Sequence, residues 1–168
     1  MFIIVRAVIW VLLFWRWGDW PNWKKYQAGI LFFIMGDLLY NFLCCNYSMW
    51  EHSANRFFPN HTSVTLFIAL IIYLCAIILN LGHYPTSLLK QILWMTLWVV
   101  ASAIAEWIDK LLGLITYHHG WNLWWSTIFM LVAVPMVRLH YKQPLWAYAL
   151  SVIVVALLLW KFHVSILK

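Results

Sequence analysis

Charged residues are scarce in this chain, and acidic residues are the scarcest of them. Only 10% of the 168 residues are charged, with five Asp or Glu against eleven Lys or Arg. Soluble domains carry about 25% charged residues, so a water-soluble fold would have too few polar groups to cover its surface. The 65% hydrophobic content and the mean hydropathy of +0.82 indicate the same. The shortage of charge therefore excludes a soluble globular domain and indicates that lipid is the solvent.

Three further absences narrow the function. Cys44, Cys45 and Cys75 form no CxxC pair, and we interpret them as buried structural thiols. The HExxH and HxxxH patterns are also missing, so no metal site is predicted and the sequence assigns neither a cofactor nor a catalytic residue. The basic residues form no stripe or arm, which excludes nucleic acid as a partner. These basic residues are explained instead by the positive-inside rule, under which basic loops stay in the cytoplasm, and by attraction to anionic lipid headgroups.

The apolar residues come in long continuous runs. Barrel strands alternate apolar and polar residues, whereas the run over 64–81 is unbroken. Because about 20 residues cross the hydrocarbon, we predict an all-α, polytopic transmembrane helical bundle of five to six spans, with six preferred, as one integral domain over 1–168. The first segment is short, and we expect a retained helix that spans or lies in the interface. The predicted spans are 2–17, 27–47, 63–82, 88–108, 121–141 and 145–162.

The orientation follows from basic residues in short loops. One side would carry six of them and the other side five, which is nearly a tie. Arg6 falls inside a span and Lys110 stands beside Asp109, so both are discounted. We therefore predict that both termini lie outside. The cytoplasmic set is Arg16, Lys24, Lys25, Lys90, Arg138 and Lys142, and the other set is Arg6, Arg56, Lys110, Lys161 and Lys168.

Several polar residues fall inside the predicted spans, where they cost free energy. Asp37 lies near the centre of the second span, and a central Asp costs about 2.5–3.5 kcal/mol on insertion scales. Asn41 follows one helical turn later. In an up-and-down bundle these residues share one leaflet with the end of the fourth span and the start of the fifth. The predicted ligand-binding residues are Asp37, Asn41, Ser102, Glu106, His118, Asn122, Trp125 and Ser126.

Three functions are compatible with this polar group. The first is a membrane protein whose intramembrane pocket, toward the outer leaflet, binds a lipid headgroup or a small polar or cationic ligand; Trp107, Trp121, Trp124 and Trp125 would offer π faces. The second is a small lipid-modifying enzyme, with Asp37, Glu106 and His118 as metal ligands or acid–base groups. The third is a structural or assembly subunit, in which buried Asp and Asn hold helices together.

Several motifs resemble those of one uncharacterised family of small multi-pass membrane proteins of endospore-forming bacteria. The likeness extends over 20–144, and the most specific piece is Gly-Trp-Asn-Leu-Trp-Trp-Ser at 120–126. Other matching pieces are Trp-Pro-Asn-Trp-Lys-Lys-Tyr at 20–26, Gly-Asp-Leu-Leu-Tyr-Asn at 36–41 and Arg-Leu-His-Tyr at 138–141. The resemblance implies a bacterial cytoplasmic membrane location with a link to the spore membrane, and it implies no activity.

Membrane lipid is the expected partner, and small residues would also permit a homo-oligomer. Glycine and alanine let helices approach closely in a membrane. The residues that offer such contacts are Gly29, Gly36, Ala69, Ala76, Ala101 and Ala105.

Overall fold

Six helices and a short β-ribbon form the computed structural model, which describes residues 2–164. A 3₁₀ turn, Trp20–Lys25, follows the first helix. The strands β1 (Trp50–His52) and β2 (Ile115–Tyr117) pair antiparallel, with Glu51 opposite Thr116. The helices are α1 Phe2–Trp17, α2 Gln27–Leu43, α3 His61–Gly82, α4 Leu88–Leu111, α5 Leu123–Lys142 and α6 Pro144–Lys161.

The predicted all-α class is confirmed, and each predicted span coincides with a helix. Four helices, α3 to α6, are long and apolar enough to cross a membrane. α1 has 16 residues and α2 has 17, so each is about 24–26 Å long against a hydrocarbon core of about 30 Å. The number of spans is therefore not set by helix length alone.

The helix boundaries shift from the predictions for local reasons. α2 ends at Leu43, four residues before the predicted end, and the chain then turns into β1. α3 begins earlier than predicted, because the Asn60 side chain caps it in a capping box with Ser63. α5 begins at Leu123, since the Asn122 side chain accepts the N–H groups of Trp124 and Trp125.

α3 lies at the centre of the bundle. Ile68, Ala69, Ile72 and Ile78 are buried, and α1 and α2 pack against this helix. α2 also packs against α5, which lies between α4 and α6. The outer faces of α4 and α6 are almost wholly exposed. The exposed apolar surface of these helices is what lipid contact requires.

Consecutive helices run in opposite directions, so the bundle has two distinct ends. The ribbon end carries β1 and β2, the first turns of α1, α3 and α5, and the last turns of α2, α4 and α6. The Tyr40 hydroxyl on α2 accepts the backbone N–H groups of Met49 and Trp50 there, at 2.9 and 3.0 Å. We call the opposite end the basic end, because its charged residues are Asp19 and the basic set Arg16, Lys24, Lys25, Lys90, Arg138 and Lys142.

An ion pair joins the first helix to the fourth at the ribbon end. The Arg6 guanidinium donates to the Asp109 carboxylate, and the two side chains are 23% and 11% exposed. The Nε of Arg6 is buried and has no partner within residues 2–164. Removing one member of such a pair leaves the other charge buried and uncompensated.

We expect Arg6→Gln and Asp109→Asn each to lower the free energy of unfolding by about 3 kcal/mol, because each leaves an unpaired charge. The double variant should lose clearly less than the two single losses combined. Unfolding of the purified protein in mixed micelles measures both. Arg56→Gln, at an exposed loop position of the same end, is the control. Additive losses would show that the two side chains do not interact.

Candidate functional site: a polar cluster at the ribbon end

A chain of hydrogen bonds links α2 to the ribbon. The Asn41 amide donates to the Asp37 carbonyl at 2.8 Å, and its Oδ1 lies 2.9 Å from His61 Nε2. The backbone N–H of His52 donates to His61 Nδ1 at 2.9 Å. Since Nδ1 accepts, the proton of the neutral His61 ring is on Nε2 and is donated to Asn41. The network therefore requires a neutral His61.

Glu106 is held by the ribbon and by the start of α5. The Tyr117 hydroxyl donates to its Oε1 at 2.7 Å, and the Ser126 hydroxyl also faces the Glu106 carboxyl. Ser126 in turn accepts the buried Trp121 indole N–H at 2.8 Å. Burial and the hydrogen bond to Glu106 raise the pKa of Tyr117. Tyr117 therefore remains a donor at neutral pH.

Tyr73 belongs to the half of the cluster that contains Asp37. It ends a π-helical segment of α3, Ile68–Tyr73, and its hydroxyl lies beside the Asp37 carboxyl. Short π-helical segments occur often at functional sites, because they displace side chains from the regular helical positions.

The charges of the cluster do not balance. Arg6 is paired with Asp109, which leaves Asp37 and Glu106 without a basic partner in the described part of the chain. The Oδ2 atom of Asp37 is buried and lacks a hydrogen-bond partner within 2–164. A buried carboxyl without a partner is costly. The cluster thus offers acceptor capacity that no described protein group uses.

The predicted site residues divide into two groups. Asp37, Asn41, Glu106 and Ser126 all take part in the cluster. Ser102 is half-buried on α4 and makes no hydrogen bond through its side chain in the described structure. The remaining three serve elsewhere: His118 is exposed and contacts Thr116, Asn122 caps α5, and Trp125 packs on Phe162.

The structure adds residues that the sequence did not reveal as a site. The ribbon explains why His118 lies outside the cluster. Side chains alternate along β2, so Tyr117 faces inward and its neighbours Thr116 and His118 face outward. Tyr73 and His61 belong to a long apolar helix, and His52 belongs to a three-residue strand. Arg6 and Asp109 were not predicted as site residues: Arg6 was discounted in the orientation count because it falls inside a span, and Asp109 was named only as the neighbour of Lys110. The signal for Arg6 was its position inside an apolar segment, where a charge needs a partner.

The described side chains of this cluster are not arranged as a metal site. Within residues 2–164 no three His, Cys, Asp or Glu side chains are grouped so that they could hold a metal ion. His118, which was the expected third ligand, lies next to Thr116 and His119. The cluster is better suited to accept hydrogen bonds and positive charge than to coordinate a transition metal.

Two grooves on the described surface are apolar and lie elsewhere. One runs between α1 and α3 and is lined by Ala7, Val11 and Phe67; the other runs between α4 and α5 and is lined by Val99, Ala103 and Leu123. Both face outward on the helices, where lipid chains would lie. Neither is lined by a charged residue.

The fold and this cluster define a helical bundle of membrane type with an acid-rich polar site at one end. No model of a known protein family matches the chain, and no curated protein or solved structure matches it.

His52 should make the stability of the ribbon end depend on pH. Burial, helped by nearby His61 and Arg6, lowers the pKa of His52 to about 4 from an ordinary 6.5. Between these values the unfolded chain binds a proton that the folded chain does not. We therefore expect the free energy of unfolding to fall as the pH drops from 6.5 to 4. At pH 5 it should be about 2 kcal/mol lower than at neutral pH.

Melting temperatures of the detergent-purified protein between pH 7.5 and 4.5 check this expectation. His52→Gln should flatten the pH dependence, and His118→Gln, at an exposed position, should leave it unchanged. An unaltered slope in His52→Gln would show that His52 is protonated equally in both states.

Proposed function

We propose that the chain crosses the membrane six times, with both termini and the ribbon end outside. Four helices of membrane length and the antiparallel order of all six support this topology. Every strongly exposed tryptophan lies near a helix end, as in an aromatic belt. The resemblance to proteins of endospore-forming bacteria supports a bacterial cytoplasmic or spore membrane. These tryptophans are Trp15, Trp17, Trp20, Trp23, Trp107, Trp124, Trp146 and Trp160.

We further propose that the polar cluster binds a small organic cation, such as an amine or a lipid ammonium headgroup. The observation that carries this proposal is the excess of half-buried carboxyl groups: Arg6 satisfies Asp109, and Asp37 and Glu106 have no basic partner in the described structure. A cation beside these carboxyl groups would supply the missing charge and hydrogen-bond donors.

Aromatic residues around the cluster favour a cation over a neutral polar ligand. The Lys110 ammonium already lies 4.8 Å from the centre of the Tyr117 ring. Tyr40 and Trp50 stack at 3.7 Å, and Trp50 also contacts Trp121. Ring faces attract cations through their quadrupole. The ribbon thus places the Tyr117 ring next to Glu106 and further aromatic rings at the same end of the bundle.

A structural role is the second candidate, and the pairing within the cluster favours it. Glu106, Asn41 and Ser126 each have a partner inside the protein. Such bonds hold helices together, although each contributes on average only about 0.6 kcal/mol in measured membrane proteins. A wholly structural cluster would leave Asp37 unexplained, because its Oδ2 has no partner among residues 2–164.

The enzyme hypothesis has less support. It needs His118 beside Asp37 and Glu106, whereas the His118 ring contacts Thr116 on the exposed side of the ribbon. The possibility of a homo-oligomer also stays a prediction from the small residues alone.

Labelling tests the topology directly. Cys45 is exposed at the ribbon end, while Cys44 and Cys75 are buried. We expect a membrane-impermeant maleimide to label Cys45 from outside intact cells. Cys45→Ser combined with Lys90→Cys moves the thiol to the basic end, and it should react only after the membrane is opened. The opposite pattern would invert the orientation.

Stability and binding together test the site. We expect Asp37→Asn to raise the melting temperature, because it removes the charge of a carboxyl whose Oδ2 is buried without a partner among residues 2–164, and to abolish the upward shift that an organic cation causes in the wild type. Glu106→Gln should also remove the shift, although it weakens the Tyr117 bond. Scanning fluorimetry with alkylammonium ions measures both quantities.

Glu51→Gln is the matched control, since it removes a carboxylate from the same end whose side chain makes no hydrogen bond in the described structure. It should keep the ligand shift. If Asp37→Asn is strongly destabilising and no cation shifts the wild type, the cluster is structural and the binding proposal is wrong.

A further inference from the structure

The basic end carries a large uncompensated charge. Six basic residues there face one acidic residue, Asp19, which gives a net charge of +5. At the ribbon end, the four described basic residues are balanced by four acidic ones. The protein is therefore strongly polarised along its axis, and most of the difference comes from the acidic residues.

Asp19 offsets one of these positive charges, and its carboxylate is also hydrogen-bonded within the protein. Its Oδ2 accepts the Tyr26 hydroxyl at 2.6 Å, and its Oδ1 accepts the Asn22 amide at 2.9 Å. These two hydrogen bonds lower the pKa of Asp19, so it is ionised at neutral pH. The carboxylate thus closes the turn after α1, and this turn packs closely on the end of α3, where a Cβ at Gly82 would lie 3.3 Å from the Asp19 Cβ.

Arg138 is held in place by aromatic rings. Its guanidinium carbon lies 4.1 Å from the centre of the Tyr84 ring and 5.5 Å from that of Tyr141. Tyr141 in turn packs on the buried Tyr26, at 6.0 Å between centroids. Stacking fixes the plane of a guanidinium and leaves the N–H groups at its edge available.

These N–H groups have no partner in the described part of the chain. Within residues 2–164 Arg138 makes neither a hydrogen bond nor an ion pair. A fixed guanidinium with free donors matches the paired oxygens of a phosphate. Lys142 lies one helical turn further along α5 and adds positive charge on the same face.

The position of Arg138 selects a lipid phosphate as the occupant. It lies four residues before the end of α5, Lys142, and therefore about 6 Å along the helix from that end. Exposed Trp17, Trp20 and Trp23 mark the headgroup level on this side of the bundle.

We propose that the basic end holds an anionic phospholipid, whose phosphate binds Arg138 over Tyr84 and Tyr141. The flanking lysines add long-range attraction for the headgroup. The site is independent of the ribbon-end cluster, since the two lie at opposite ends of the bundle. It would anchor this end of the protein at an anionic membrane surface.

Titration with short-chain phosphatidylglycerol, with phosphatidylcholine and with inorganic phosphate tests the proposal. The protein is purified in neutral detergent, the thermal shift is recorded, and retained lipid is counted by native mass spectrometry. We expect phosphatidylglycerol to stabilise the protein and remain bound, and the other two to have little effect. Equal stabilisation by inorganic phosphate would overturn the lipid assignment in favour of a free anion site.

Variants locate the site. Arg138→Gln should weaken phosphatidylglycerol binding by roughly tenfold or more, as expected for loss of a charge-assisted pair of hydrogen bonds. Arg138→Lys keeps the charge but loses the planar guanidinium, so its affinity for phosphatidylglycerol should lie between those of the wild type and Arg138→Gln. Tyr84→Phe should bind as the wild type does, whereas Tyr84→Leu should bind more weakly.

Arg56→Gln at the ribbon end is the control for loss of one positive charge. It should bind phosphatidylglycerol as the wild type does. If Arg138→Gln and Arg56→Gln have the same affinity while both melt cooperatively in phosphatidylcholine, Arg138 is not the phosphate ligand and the proposal fails.

Discussion

Arg6 and Asp109 form an ion pair between α1 and α4, and the electrostatics of the ribbon end depend on it. The pair binds the shortest helix to the bundle and uses Arg6, a basic side chain that reaches the ribbon end from inside α1. Because Arg6 is committed to Asp109, Asp37 and Glu106 remain without an ion-pair partner among residues 2–164. The same contact that stabilises the fold therefore creates the excess of carboxyl groups on which the proposed binding site is based.

Aromatic side chains contact polar and charged groups at both ends of the bundle, mainly acidic and amide groups at the ribbon end and mainly basic groups at the other. At the ribbon end, tyrosine hydroxyls and histidine rings satisfy acidic and amide groups, and one carboxyl oxygen of Asp37 is left over. At the basic end, tyrosine rings hold Arg138, while the Tyr26 hydroxyl occupies Asp19. Aromatic residues, which are 19% of the chain, thus provide hydrogen bonds and ring contacts to these groups, where a soluble protein would often use a residue of opposite charge. This leaves acceptor capacity at one surface and donor capacity at the other.

The sequence predicted the six helices well, because continuous apolar runs have no other stable form in lipid. It also indicated that Asp37, Asn41, Glu106 and Ser126 lie at one end of the bundle, since helical spacing and antiparallel order determine which end each one reaches. It did not predict the ribbon, whose two three-residue strands are more than 60 positions apart in the chain. Without that pairing, the inward position of Tyr117, the outward position of His118 and the roles of His52 and His61 had no local signal.

The most direct test of the account is to locate a bound cation. A diazirine-bearing alkylammonium probe, crosslinked to the protein in nanodiscs and mapped by mass spectrometry, reports which residues surround it. The account predicts adducts around Asp37, Tyr73 and Tyr117 that a non-photoreactive ammonium competes away. Adducts confined to the apolar grooves of the lipid-facing helices, or unaffected by the competitor, would contradict it.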